Sequence, residues 1–266
     1  MTKSQVSHIW DPSNYSQNSS VQLEAALHLL DGIQLRGNEN VLDVGCGDGK
    51  ITAMIAKRVP KGNVLGIEIS IEMINFARKS FNSLLYPNLT FERKDAQQFN
   101  YHESLDVIFS SFVLQWLRNP NSFFKCAYKS LRFSGFLLAT IPLGISCELE
   151  QAISVATSLP RWRPYFQKFH PDWCFLNENE YKMLIEKNNF CLELFSKVLH
   201  EVTFPSKESF EKYVIQWFSY LSVLPQRLRK MFFNMIIEKF LELSHLSGHG
   251  SIKFKFPRID LVAKKN

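Results

Sequence analysis

The chain has 266 residues, of which 45% are hydrophobic and 21% charged, enough for one large domain or a core with a substantial insertion. No apolar run approaches the roughly 18 residues of a membrane span, and the polar residues 1–20 contain no apolar signal-peptide segment. The five cysteines are an odd number without a Cys-x-x-Cys pair, so we expect reduced thiols and a cytoplasmic protein rather than a disulfide framework or a zinc site.

The formal net charge is +6 and the pI is near 9.0, which alone would permit nucleic-acid binding. The lysines are dispersed, however, so we expect a solvated basic surface and no nucleic-acid partner. The seven histidines are scattered without a metal-binding spacing, and we expect no metal. The 23 phenylalanines predict a large aromatic interior or a ligand cavity lined with aromatic rings.

Helices and strands alternate through the first half of the chain. Residues 1–18 are expected to form a loosely ordered arm, and Ser19 or Ser20 caps a helix that stops at Gly32. Short apolar runs predict strands at 41–44, 63–68, 89–93, 105–109 and 135–140, separated by helices at 50–58, 70–80 and 120–131. This alternation predicts an α/β fold with a mostly parallel sheet.

The regular alternation loosens after residue 144. Helices are predicted at about 148–158, 179–188, 207–221 and 225–244, and two further strands at 191–202 and 252–262. We therefore expect one domain over residues 1–266, with a seven-stranded Rossmann-like core made of residues 19–144, 179–202 and 251–264. The insertions, residues 145–177 and 207–244, would stand over the ligand edge and form a lid.

Three glycines alternate directly after the first strand, at Gly45, Gly47 and Gly49. A strand, a glycine turn and a helix allow close backbone approach to a ligand and point helix N–H groups at an anionic group. A dinucleotide fingerprint would need glycine at Lys50, and no Gly-Lys-Ser/Thr ending follows, so neither a dinucleotide site nor a P-loop is predicted. Glu68 ends the second strand, where an acid can accept both ribose hydroxyls of a nucleoside.

The predicted strand ends gather at one edge of the sheet. Asp95 and Ala96 come after the third strand, and Ser110 follows the fourth. Because parallel strands have their carboxyl ends at the same edge, these residues should lie near the glycine turn, where α/β folds bind ligands. This set of features resembles the class I S-adenosylmethionine-dependent methyltransferases.

The resemblance implies the fold of that class, with S-adenosylmethionine as cofactor and S-adenosylhomocysteine as product. It implies that the three glycines lie along the methionine portion and that Asp43 holds the amino group or its water. Glu68 would take the ribose hydroxyls, although Asp is commoner there in the family. The remaining contacts would be Met73 on the adenine face, Asp95 and Ala96 on the adenine edge, and the Ser110 carbonyl on the methionine amino group.

The end of the fourth strand also disfavours one kind of acceptor. Amino-methylating enzymes that act on bases or amides carry Asn/Asp-Pro-Pro-Tyr/Phe at this place. This chain instead has Ser110, Ser111, Phe112 and Val113. Methylation of adenine or glutamine nitrogen is therefore disfavoured.

Two further stretches resemble the small-molecule carboxyl O-methyltransferases, above all the juvenile hormone acid and trans-aconitate methyltransferases. They are residues 15–22, before the first long helix, and residues 114–119, after the fourth strand. In those families the residues matching Gln22 and Trp116 sit at the acceptor carboxylate, which makes them candidate catalytic residues. Further candidate acceptor-binding residues are Tyr15, Trp162 and Tyr165.

The leading hypothesis is an enzyme that methylates the carboxylate of a small, largely apolar acid. An alternative is a malonyl-acyl-carrier-protein O-methyltransferase of biotin synthesis, since a basic surface would suit an acidic carrier protein. Against it, the arm lacks the usual Phe-x-x-Ala-x-x-x-Tyr lead. A second alternative is a basic S-adenosylmethionine-binding module that acts on RNA, which a steep loss of binding with salt would favour. No His–acid pair near the four strand ends is evident, consistent with an acceptor that needs no base.

Overall fold

The structure is a computed structural model that describes residues 11–248 and 250–266. These residues form a seven-stranded sheet with strand order β3-β2-β1-β4-β5-β7-β6. The strands are β1 (Asn40–Val44), β2 (Asn63–Glu68), β3 (Leu89–Arg93), β4 (Leu105–Ser111), β5 (Leu131–Pro142), β6 (Phe190–Phe204) and β7 (Ile252–Lys265). The predicted α/β class with a seven-stranded, mostly parallel sheet is confirmed.

Parallel pairing brings the carboxyl ends of the first five strands to one edge. β1 pairs with β2 and with β4, β2 with β3, and β4 with β5, all in parallel. β7 runs antiparallel to β5. β1 and β4 are buried almost throughout, which explains why both read as continuous apolar runs instead of alternating ones.

Ten α-helices connect these strands in the described part of the chain. They are α1 (Pro12–Asn18), α2 (Ser20–Asp31), α3 (Lys50–Arg58), α4 (Ile71–Ser80), α5 (Pro120–Ser130), α6 (Cys147–Ser158), α7 (Arg163–Phe166), α8 (Glu178–Lys187), α9 (Lys207–Ile215) and α10 (Gln226–Leu243). Short 3₁₀ turns cover Leu114–Trp116 and Ser219–Val223. None of these helices is long and apolar enough to cross a membrane.

The expectation of a loosely ordered arm over residues 1–18 is wrong for residues 12–18, which form α1; residues 1–10 lie outside the described residues. The helix has a local cause. The side chain of Asp11 accepts hydrogen bonds from the N–H groups of Ser13 and Asn14, and Pro12 occupies the first helical position.

Two other boundaries differ from the prediction by four residues or more. The helix expected over 207–221 ends at Ile215, where the Gln216 side chain donates to the Lys212 carbonyl at 2.9 Å and a 3₁₀ turn follows. The fifth strand begins at Leu131 instead of residue 135. Leu131 pairs with Leu105 across a register shift, and Ser134 takes a φ of 62° within the strand.

The chain divides into two compact units. The larger comprises residues 11–143, 173–198 and 258–266, and the smaller comprises residues 144–172 and the described part of 199–257. In the larger unit, one hydrophobic cluster joins the sheet to α5 and α8, and a second joins it to α2, α3 and α4. The smaller unit holds both predicted insertions except residues 173–177; their role as a lid, and the single-domain organisation, stay predictions.

Phenylalanine dominates the interior of the smaller unit. The ring of Phe210 stacks on Phe240 at 4.8 Å and contacts Phe254 at 5.4 Å between centroids. Phe232 similarly stacks on Phe166 at 4.9 Å. The predicted aromatic interior is therefore present, and it lies in the part of the chain where the alternation of helices and strands loosens.

Candidate functional site

The glycine turn requires glycine for two separate reasons at Gly45. Its φ is +76°, and an added Cβ would lie 2.1 Å from Cγ2 of Val113. The N–H groups of Gly45 and Cys46 both donate to the Ile67 carbonyl, at 2.7 and 3.0 Å, which fixes the turn against β2. Val113 was not singled out in the sequence because it lies 68 residues downstream. The turn thus holds bare backbone at the carboxyl edge of the sheet.

Gly49 forms the N-cap of α3 and lets the helix start close to the sheet. Its φ is +84°, and an added Cβ would lie 2.8 Å from Phe91 and 2.9 Å from Ala77. The first N–H groups of α3, which lack partners within the helix, therefore open at the same edge as the turn. This is the strand, turn and helix arrangement that the sequence predicts.

Acidic side chains gather beneath the glycine turn. Asp43 is buried, and its Oδ2 accepts a 2.7 Å hydrogen bond from the Thr52 hydroxyl on α3. Burial raises the pKa of Asp43 to about 7, and repulsion from Glu68 and Asp48 adds to the shift. Asp48 is itself buried. A cation bound here would favour ionised Asp43 and would be stabilised by it.

Glu68 ends β2 beside this cluster, as predicted. Its Oε1 accepts hydrogen bonds from the N–H groups of Ile69 at 2.7 Å and Ser70 at 3.0 Å, and the Gly47 N–H also donates to this carboxylate. Burial raises its pKa in spite of these bonds. Ile69 is 58% exposed although apolar, which makes it a further candidate for contact with a nucleoside. The sequence could have indicated Ile69, because it is an apolar residue that directly follows the acid at the end of β2.

The predicted adenine contacts occupy the neighbouring strand end. Met73 is 2% exposed in α4, a helix capped by Ser70. The Lys94 N–H donates to the Glu68 carbonyl at 2.9 Å, which brings Asp95 to the end of β2. Asp95 accepts from the Gln97 N–H at 2.8 Å, and Ala96 packs against the core. Their adenine-binding roles stay predictions.

The end of β4 completes this edge. Ser110 is fully buried, and its hydroxyl donates to the Val44 carbonyl at 3.0 Å. Its carbonyl, the group that the sequence resemblance implicates, lies on the strand that pairs with β1. The chain then turns at Phe112, whose φ is 58°, and enters the 3₁₀ turn that carries Trp116.

The predicted acceptor residues are placed in different surroundings. Gln22 on α2 is 7% exposed, and its Oε1 has no hydrogen-bond partner among the described residues. Trp116 is half-buried and meets Trp173 edge to face at 5.9 Å. The Tyr15 ring lies against the glycine turn, since a Cβ on Gly47 would be 3.5 Å from it. Tyr15 therefore contacts the turn, and an acceptor contact stays a prediction.

Trp162 and Tyr165 belong to the smaller unit. Trp162 is 2% exposed and packs edge to face on Phe232 at 5.0 Å, with the Arg161 guanidinium over its ring. This is a core environment. Tyr165, in α7, is 37% exposed. Whether either ring binds an acceptor stays a prediction.

One charged cluster of the larger unit has no counterpart in the sequence analysis. The His28 ring lies 3.1 Å through Nδ1 from Oδ2 of Asp260, and Arg258 donates to the same oxygen at 3.1 Å. The sequence analysis considered His–acid pairs only near the ends of the first four strands, whereas this pair joins α2 to β7. The pair was invisible in the sequence because its members are 232 residues apart. No group that could hold a metal ion occurs within residues 11–248 and 250–266.

The sheet order, the glycine turn and the acids at the carboxyl edge define a class I S-adenosylmethionine-dependent methyltransferase. A family model described as a methyltransferase domain matches residues 35–189, and the chain belongs to that family. The residues fit the cofactor. The acids at Asp43 and Glu68 suit its positive charges and hydroxyls, and the bare turn allows its methionine portion to lie close to the backbone.

Curated relatives match over nearly the whole chain. The trans-aconitate 2-methyltransferase of Escherichia coli is 26% identical over 266 residues, which cover 96% of this chain and 98% of the relative. The 235L protein of Invertebrate iridescent virus 6, named as a methyltransferase, is 26% identical over 231 residues, covering 87% of this chain and 85% of that protein.

Solved structures show the same fold. The BH2331 protein of Bacillus halodurans C-125, also named as a methyltransferase, gives a TM-score of 0.62 at 18% identity, covering 90% of this chain and 98% of its own. Geranyl diphosphate C-methyltransferase from Streptomyces coelicolor A3(2), solved with S-adenosyl-L-homocysteine, gives a TM-score of 0.56 at 12% identity. The match covers 95% of this chain and 82% of that protein. These structures show the fold; the methyltransferase family match and the acids at the sheet edge make S-adenosylmethionine the cofactor of this chain.

Proposed function

We propose that the protein transfers the methyl group of S-adenosylmethionine to a carboxylate of a small acid. The whole-length similarity to trans-aconitate 2-methyltransferases supports carboxyl methylation. The sequence favours a largely apolar acid, whereas the relatives are named for a tricarboxylic acid, so both kinds of acceptor enter the test below.

The chemistry requires positioning rather than a base. Methyl transfer from a sulfonium is an in-line displacement, and a carboxylate is already ionised at neutral pH because its reference pKa is about 4. The enzyme has to hold one carboxylate oxygen about 3 Å from the methyl group and remove its water. The amide of Gln22 and the indole N–H of Trp116 are neutral donors that can hold a carboxylate without neutralising it.

The observation that carries the proposal is the incompletely bonded amide of Gln22. It is 7% exposed, and one of its two polar atoms has no partner among the described residues. The oxygen and nitrogen of an amide exchange places by rotation, so the unpartnered end can present its NH₂ group. A buried polar atom left without a partner costs about 1–3 kcal/mol, which a bound carboxylate would offset.

His28 has an acid partner, but it does not suit the role of a base for an acceptor held by Gln22. Its Nδ1 is already engaged by Asp260. It also lies six residues beyond Gln22 on α2, which corresponds to about 9 Å along the helix axis. The proposed reaction therefore makes no use of it.

The test is a turnover assay with S-adenosylmethionine over apolar monocarboxylates and trans-aconitate-like acids. We expect Gln22→Ala and Trp116→Phe each to lower kcat at least tenfold with the acceptor that the wild type methylates. Affinity for S-adenosylhomocysteine, measured by calorimetry, should be kept. Arg227→Met, at an exposed residue of α10, serves as the control and should turn over like the wild type.

The pH profile tests the absence of a base. The rate with the acceptor should be flat from pH about 6 to 9 once the cofactor is saturating, since the carboxylate does not titrate there. A rate that rises tenfold per pH unit over this range would contradict carboxylate methylation. So would an enzyme that methylates none of the acids while it binds the cofactor.

A further inference from the structure

Arg258 is a buried cation whose hydrogen bonds are only partly made. The residue is 1% exposed. Nη2 donates to Asp260 at 3.1 Å and lies 3.4 Å from Nδ1 of His28. Its Nε and Nη1 groups have no partner among the described residues, and neither has Oδ1 of Asp260. A guanidinium stays charged at neutral pH, so two nitrogens of a buried charge, which carry three N–H donors, are left open.

The ion pair with Asp260 compensates this charge incompletely. Burial lowers the pKa of Arg258 and raises that of Asp260, so each partner is held less favourably in its charged form than in water. Asp260 is also shared, because the same Oδ2 atom lies against His28. Buried charges with unmade hydrogen bonds are costly, and an anion at the free N–H groups of Arg258 would offset that cost.

Strand register places Arg258 at the cofactor edge of the sheet. In the pairing of β7 with β5, Asp260 lies opposite Thr140 and Arg258 lies opposite Pro142. Thr140 in turn pairs with Ser111, the last residue of β4. Arg258 therefore lies about 7 Å beyond the level of Ser111, on the carboxyl side where the glycine turn also lies.

The same register brings Arg258 toward the start of α2. A cavity of about 900 Å³ is lined by Gly32 at the end of α2 together with Asp106 and Ser134, so α2 ends near the amino ends of β4 and β5. Its start, with Gln22, therefore points to the carboxyl edge. Gln22 is about 9 Å from His28 along α2, and the backbone of Arg258 is about 7 Å from that of Asp260 along β7, in the same direction. The Nη2 end of the Arg258 side chain reaches back to Asp260 and His28.

This cavity does not supply partners for the open donors. His28 and Asp260 line it, but Arg258 does not. The free Nε and Nη1 groups of Arg258 therefore do not open into this cavity.

We propose that Arg258 binds a second carboxylate of the acceptor, so that the enzyme methylates a di- or tricarboxylic acid. The inference rests on the proposed carboxyl methylation and names its substrate class. In this proposal, neutral and charged hydrogen-bond donors have different roles. The neutral groups of Gln22 and Trp116 hold the reacting carboxylate, whose oxygen must stay nucleophilic. Arg258 holds a non-reacting one, where a full charge costs no reactivity.

The test compares two acceptors of different charge on one set of variants. Removing Arg258 alone would leave Asp260 buried without its cation, so the main variant is the charge-neutral Arg258→Met/Asp260→Asn. We expect its kcat/KM for trans-aconitate to fall at least a hundredfold, chiefly through KM. For hexanoate, which has one carboxylate, the wild-type rate should be low and should change less than threefold in the variant.

Three controls separate a substrate contact from a structural role. Affinity for S-adenosylhomocysteine should be kept, and thermal unfolding should show a folded double variant. Arg227→Met removes an exposed arginine of α10 and should leave both acceptors unaffected. If the double variant does not fold, Arg258→Lys is the second test of the proposal. Lysine keeps the positive charge but loses the planar pair of N–H donors, so KM for trans-aconitate should rise at least tenfold.

The outcomes distinguish this inference from the proposed function. A folded variant with wild-type KM for trans-aconitate overturns the role of Arg258. A wild-type enzyme that methylates hexanoate and not trans-aconitate also overturns it, and leaves carboxyl methylation intact. An enzyme that methylates neither class of acid removes both proposals.

Discussion

Single carboxylates beneath the glycine turn set the charge of the predicted cofactor site. Asp43 is met by the Thr52 hydroxyl from α3, by Glu68 at the end of β2 and by Asp48 in the turn. Only the hydroxyl favours its ionised form; burial and the two acids oppose it. A cationic cofactor reverses this balance. Binding and proton loss at Asp43 should therefore be coupled.

The coupling predicts a pH dependence of cofactor affinity. The pKa of Asp43 is raised to about 7, so lowering the pH through 7 protonates it and removes a negative charge that attracts the cofactor. Affinity for S-adenosylmethionine should fall as pH drops from 7.5 to 5.5, by up to tenfold per pH unit. Calorimetry at several pH values measures it.

Asp43→Asn provides the matched comparison, because the amide is nearly the same size and does not titrate. The variant should bind more weakly at pH 7.5, and its affinity should change less with pH than that of the wild type. Glu68, whose pKa is also raised, would account for a residual slope. A wild-type affinity that is constant over this range would contradict the coupling.

At the scale of elements, the site depends on how closely β1, the glycine turn and the segment after β4 approach each other. Val113 fills the space where a side chain at Gly45 would stand. The same turn is fixed by two bonds to the carbonyl of Ile67 at the end of β2. The geometry of the turn is thus a property of three strands together.

Gly45→Ala should disrupt this arrangement. The added methyl meets Val113 and forces a φ of +76° on a residue with a Cβ, which costs about 1–2 kcal/mol before the clash. We expect a lower melting temperature and at least a tenfold loss of S-adenosylhomocysteine affinity by calorimetry.

Gly144→Ala is the control for this change, since nothing lies within 4 Å of a Cβ there and its φ is not positive. It should match the wild type in both measurements. If Gly45→Ala binds S-adenosylhomocysteine as tightly as the wild type, the turn does not need its close approach to Val113.

At the scale of the whole molecule, the chain contains two compact units with different interiors. The larger carries the sheet edge with the predicted cofactor residues, and the smaller is held by aromatic rings around α6, α7, α9 and α10. Two predicted acceptor residues, Trp162 and Tyr165, fall in the smaller unit, where one is buried and the other is partly exposed. We therefore expect mutations of these two residues to separate stability from acceptor binding.

Trp162→Ala should destabilise the protein by about 3–5 kcal/mol, because it removes a buried ring from contact with Phe232. Tyr165→Ala should leave the melting temperature within about 2 °C of the wild type, and should raise the acceptor KM if this ring binds the acceptor. Thermal unfolding and steady-state kinetics measure these effects. A wild-type KM in Tyr165→Ala would remove it from the acceptor site.

The sequence by itself determined the features that arise from neighbouring residues. The strand, glycine turn and helix over residues 41–58, and the acid that ends β2, lie as predicted because apolar runs, glycine spacing and helix caps act over short distances along the chain. The order of strands and helices then identified the α/β class. The short helix α1 could also have been predicted from neighbouring residues, because Asp11 caps it and Pro12 begins it.

Only the tertiary structure decided which distant residues meet. Val113 closes on Gly45, the Thr52 hydroxyl reaches Asp43, and Arg258 and Asp260 meet His28 across some 230 residues. The last contact exists because β7 runs antiparallel beside β5, so that its register fixes which side chains face α2. Strand pairing between distant segments is set by the burial of the whole sheet, which no local spacing records. It brings together the buried arginine to which we assign the proposed choice of acceptor.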